Sequence, residues 1–85
     1  SDFVISKNIL ISYKGCDSHV IIPDGVKKIA DGAFWSVDYI EAVEIPGSVE
    51  EIGNGAFWSC AGLKYINVAE GLKTIGDTAF GAVRL

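Results

Sequence analysis

With 85 residues, 49% of them hydrophobic, and a positive mean hydropathy, the chain allows one domain at most and excludes a disordered segment. A formal charge of −4, with no basic cluster larger than Lys27 and Lys28, opposes phosphate backbones, so nucleic acid is not an expected partner. No apolar run approaches the roughly 20 residues of a membrane span, and none is expected to insert.

In chain order, the stretch NILIS (8–12) reads as a short strand, and HVIIP (19–23) as a second one stopped by Pro23, which lacks a ladder donor. Val26 to Ile29 has the character of another short strand. Asp31 then precedes Ala33 and Phe34, and its side-chain oxygen is expected to cap a short helical turn. The same text returns 23 residues later. Val20, Ile22, Pro23, Val26, Ile29 and the whole of Gly32–Ser36 recur at Val43, Ile45, Pro46, Val49, Ile52 and Gly55–Ser59. A third copy keeps the apolar columns at Ile66, Val68, Leu72, Ile75, Ala79, Phe80 and Val83.

A fixed period of this length marks a solenoid, whose repeats bury their apolar faces only against their neighbours. Ile40, Val43 and Ile45, echoed by Leu63, Ile66 and Val68, have an L-x-x-L-x-L spacing ending in an alternating strand, the expected main parallel sheet. The expected fold is an α/β solenoid with strand, turn, second short strand and helical turn in each repeat. Residues 1–19 are read as an N-terminal cap, 20–42 and 43–65 as two repeats, and 66–85 as an incomplete third.

The text VEIPGSVEEIGNGAFWSCAGLKYINVAEGLKTIGDTAF resembles the bacterial BspA-like leucine-rich repeat, approximately I-P-x-x-V-x-x-I-G-x-x-A-F-x-x-C-x-x-L, over about residues 20–83. The segment FVISKNILISYKGCDSHVIIP resembles the strand and Y-x-G lead-in of such arrays. Departures are Ala30 for the glycine of I-G, Val37 and Val83 for the cysteine, and Ala69 for the proline. The resemblance implies a short right-handed leucine-rich-repeat coil, exported by a bacterium and displayed at the cell surface or secreted, acting in adhesion or protein binding. The sequence shows no leader segment and no initiating methionine, and the expectation is a piece processed or excised from something longer.

Little in the chain suggests chemistry. His19 with Cys16 makes half a zinc set or an unoriented nucleophile–base pair, with no second ligand pair, orienting group or oxyanion element. No catalytic residue, metal or cofactor is therefore expected. Cys60 shares a column with Val37 and Val83 and reads as a buried apolar residue. Two coils separate it from Cys16, beyond the roughly 7 Å Cα reach of a disulfide, so both thiols are expected to be free. Lys27, Glu50 and Lys73 form one column and Lys28, Glu51 and Thr74 another, a solvated face that fixes register. The Asp31, Asn54 and Asp77 column lacks calcium-loop spacing.

Two surfaces remain as candidate contact sites. Trp35 and Trp58 follow core residues and must point away from the interior, forming an aromatic flank that ends at Gly81 and covers the repeat junction or holds a protein or sugar ring. The outward side of the main sheet carries Ile21, Glu44 and Asn67 in one column and His19, Ala42 and Tyr65 in the next. Such a face suits a protein partner, and a glycan is the other candidate ligand. The open last coil, leaving Ile75, Phe80 and Val83 poorly covered, predicts a frayed end or self-association.

Overall fold

The computed structural model describes residues 2–81. Eight strands follow in order: β1 (Phe3–Ser6), β2 (Ile9–Tyr13), β3 (His19–Ile21), β4 (Lys28–Ile29), β5 (Ala42–Ile45), β6 (Glu51–Ile52), β7 (Tyr65–Val68) and β8 (Thr74–Ile75). They make two sheets. The main one is β3-β5-β7, all parallel, with Val20 opposite Val43 and Val43 opposite Ile66, so the register is the 23-residue period itself.

The second sheet, β1-β2-β4-β6-β8, receives the cap. β1 and β2 form an antiparallel hairpin, and β2 then runs parallel to β4, with Leu10 opposite Ile29. The hairpin turn at Lys7 and Asn8 takes both residues to positive φ, the left-handed conformation that two-residue hairpin turns require. The predicted second strand, Val26 to Ile29, is shorter than expected because Val26 N–H turns back to the Pro23 carbonyl and leaves only Lys28 and Ile29 in the ladder. Gly25, at φ 98°, makes that turn possible without a Cβ penalty.

The helical turn expected in each repeat does not form: among the described residues no helix occurs, and the Ala-Phe-Trp-Ser segments are successive turns. The hydrogen bonds explain why. Ala33 and Trp35 donate back three residues within their own coil, to Ala30 and Gly32, whereas Gly32, Phe34 and Ser36 donate sideways to Asn54, Ala56 and Trp58 in the next. With alternate amides committed to a neighbour, a continuous helical ladder cannot run. Ser36 and Ser59 close their segments at positive φ.

Asp31 and Asn54 also act differently from the predicted caps. Asp31 Oδ1 accepts from Asn54 N–H at 2.7 Å, and Asn54 Oδ1 accepts from Asp77 N–H at the same distance. Each oxygen ties its coil to the following one. The glycine that precedes the acceptor position is thereby explained: a Cβ at Gly53 would overlap Asp31 Oδ1, and one at Gly76 would overlap Asn54 Oδ1. Ala30 follows β4, whose neighbour on that side is β2 of the cap hairpin; β2 carries no such side chain, and there a methyl group stands in place of the glycine.

The interior is a single apolar column. Phe34, Phe57 and Phe80 stack with centroids 4.8 and 5.2 Å apart and planes within 8°. Tyr13 continues the pile at 5.3 Å from Phe34, and Phe3 adds a fifth ring at 5.2 Å from Tyr13. Ile29, Ile40, Ile52 and Leu63 are fully buried around it. No buried side-chain polar atom lacks a partner among the described residues. At the far end Ile75 is 56% exposed and Phe80 is partly covered, while Val83 lies outside the described residues.

Candidate binding surfaces

Period-two alternation in the main sheet sends Val20, Ile22, Val43 and Ile45 inward, where all are buried, and leaves the intervening residues outside. One outer column is Ile21, Glu44, Asn67 and the next is His19, Ala42, Tyr65, each aligned residue by residue across the strands. Tyr65 is 70% exposed and Ile21 61%, each on an edge strand held by parallel pairing to the central strand β5.

The two columns are joined by a contact absent from the sequence reading. His19 Nε2 meets Glu44 Oε2 at 2.6 Å, a diagonal pair between adjacent strands whose side chains both stay substantially exposed. His19 thus serves the sheet face, while Cys16 remains an exposed free thiol. Two open depressions flank the Glu44–Asn67 column. One lies over Ala42 and is bounded by His19, Glu44, Tyr65 and Asn67; the other lies among Ile21, Ile45, Pro46 and Ala69, again with Glu44 and Asn67 at its border. The first owes its shape to sequence: alanine stands between histidine and tyrosine in one column.

On the flank, the Trp35 and Trp58 rings are stacked 5.7 Å apart at 24°. Trp35 is 57% exposed, but Trp58 is half-buried, sandwiched between Trp35 and the next coil. It lies directly over Gly81, where any Cβ would overlap the six-membered ring. Trp35 similarly lies against Gly55 of the following coil. Both rings therefore cover repeat junctions, and only the outer face of Trp35 is broadly open to solvent.

The charged columns of the second sheet are ion pairs between coils. Lys27 and Lys73 approach Glu50 from either side at 3.9 and 3.6 Å, and Lys28 meets Glu51 at 3.1 Å. All are well exposed and act on register more than on stability. Among the described residues no group of three or more His, Cys, Asp or Glu side chains converges on a point where a metal ion would sit. Cys60 is buried, its thiol donating to the Phe34 carbonyl at 3.0 Å, and burial pushes its pKa up. Among the described residues no helix is long and apolar enough to cross a membrane.

These features meet known proteins at one point. Residues 6–85 match the BspA type leucine rich repeat region (6 copies), and the chain belongs to that family. Among solved structures, the Leucine Rich Repeat protein of T. pallidum superimposes with a TM-score of 0.85 at 28% identity, covering 98% of this chain and 46% of its own. A leucine rich cell surface protein from Faecalibacterium prausnitzii A2-165 gives 0.81 at 29% identity, covering 92% of this chain and 25% of its own. The chain thus spans less than half the length of either. No curated protein matches it.

Proposed function

We propose that the chain is a non-enzymatic protein-interaction module of a bacterial cell-surface or secreted protein, and that it binds through the outer face of the main sheet. The supporting observation is the pair of aligned columns in which Tyr65 and Ile21 stand largely exposed on stiff parallel strands. A preformed surface of this kind loses little conformational entropy on binding. The likeness to a repeat structure described as a cell surface protein supports the location.

The test uses the full parent protein and a purified protein partner in calorimetry. Tyr65→Ala is expected to weaken binding about tenfold or more, as an exposed aromatic anchor should, while Trp35→Ala leaves it unchanged. An unchanged affinity in Tyr65→Ala would remove the sheet face from consideration; loss in Trp35→Ala alone would move the site to the flank, where a sugar ring is the competing ligand. A second reading, a spacer without its own ligand, draws on the coverage of only 46% and 25% of longer repeat structures. It predicts that deleting these repeats together leaves the parent's binding intact.

A further inference from the structure

We infer that the depression over Ala42 receives an arginine side chain of the protein partner, a reading that rests on the sheet face being the binding surface. Three groups converge on it. The Tyr65 ring, 70% exposed, forms one wall. The Glu44 carboxylate forms another, held toward the depression because His19 Nε2 engages Oε2, while Oε1 has no protein partner among the described residues. Asn67, beside Glu44 in the register, adds a side-chain amide to the lining. The floor is a methyl group.

Charge selects a cation. Glu44 is the one carboxylate side chain bordering both depressions, no lysine or arginine lines either, and the whole chain carries −4. Geometry selects arginine over lysine. A guanidinium is planar, so it can lie on the tyrosine face and still present N–H groups edgewise to a carboxylate and an amide oxygen, whereas an ammonium is a compact, strongly hydrated point charge. The aliphatic stem has its own place on the alanine floor. The neighbouring depression, lined by Ile21, Ile45, Pro46 and Ala69, suits an aliphatic side chain next to that arginine.

The experiment is a titration of the isotope-labelled protein with acetyl-Arg-Leu-amide, followed by amide NMR shifts, with acetyl-Lys-Leu-amide and the uncharged acetyl-citrulline-Leu-amide as controls. The arginine probe is expected to shift Ala42, Glu44, Tyr65 and Asn67, and to bind about threefold or more tightly than the lysine probe. Glu44→Gln and Tyr65→Ala, both at exposed positions and checked for folding by the same spectra, should each abolish the response. Equal responses to arginine and lysine, or shifts centred on Glu50, Glu51 or Glu70, would overturn the assignment. So would silence with the arginine probe while Tyr65→Ala still weakens the protein partner, an outcome that leaves the sheet face itself standing; a partner insensitive to Tyr65→Ala condemns the face separately.

Discussion

The rings of Phe34 and Phe57, 23 residues apart in the chain, are stacked 4.8 Å apart and 8° from parallel. That separation is the distance between adjacent strands, about 4.8 Å, so one repeat advances the chain by one strand and each interior side chain lands on its equivalent. Phe57 has a ring on both faces. Phe57→Ala should therefore cost about 3–5 kcal/mol, measured by urea unfolding with an unchanged m-value. A loss below about 1 kcal/mol would mean the column contributes little.

Asp31 and Asn54 make a different prediction from the caps they resemble. If each oxygen serves the next coil, Asn54→Ala deprives Asp77 N–H of its acceptor at a cost of about 1 kcal/mol. Gly53→Ala should be more damaging, since its methyl group meets both the side chain and the backbone of Asp31. Ala30→Gly, the reverse change one repeat earlier, should cost no more than about 1 kcal/mol through added chain freedom. Thermal unfolding of the three variants gives the order directly; equal losses in Gly53→Ala and Ala30→Gly would contradict it.

Gly81 lies under Trp58 with no room for a Cβ. Gly81→Ala is accordingly expected to displace the indole, red-shifting tryptophan emission and lowering the unfolding midpoint. An unaltered spectrum would show that the ring does not rest on the third coil.

Burial raises the Cys60 pKa above the ordinary thiol value near 9. The folded state thus holds its proton where the unfolded state releases it. The corresponding stability is complete below the unfolded-state pKa and falls as pH rises from about 9 toward the folded-state value. Cys60→Val, which copies Val37 in the same column, should flatten stability between pH 9 and 10 while changing it at pH 7 by less than about 1 kcal/mol. Tyr13, also raised by burial, would add its effect only above pH 10. An unchanged alkaline slope in Cys60→Val would place its origin elsewhere.

Glu50 stands between Lys27 and Lys73 in successive coils. Glu50→Gln should cost about 0.2–1 kcal/mol in dilute buffer and close to nothing in 1 M salt, because exposed pairs are screened. A loss independent of salt would indicate packing by the side-chain stem.

Repetition made much of this readable. Val20, Val43 and Ile66 share a 23-residue offset, and that alone aligns the main sheet, the phenylalanine column and the Lys27–Glu50–Lys73 ladder. What the offset cannot tell is where a polar group's partner lies, since an Asp31 oxygen facing its own turn or the next coil gives the same spacing. The Ala33–Ser36 segment misled for a related reason: its apolar residues fit a helical turn, but half its amides serve the neighbouring coil. Tyr13 and Phe3 precede the regular repeats, so the extension of the stack was hidden, although an aromatic ahead of Gly15 was its trace. The His19–Glu44 contact is diagonal, between positions that column-by-column alignment keeps apart.

Cross-strand nuclear Overhauser contacts in the main sheet test the stacking most directly. The structure requires backbone contacts from Ala42 to Tyr65 and from Glu44 to Asn67, with aromatic contacts from Phe34 to Phe57. Contacts displaced by one residue in either strand would turn Glu44 or Tyr65 toward the interior, and neither the shared core nor the outer face would survive.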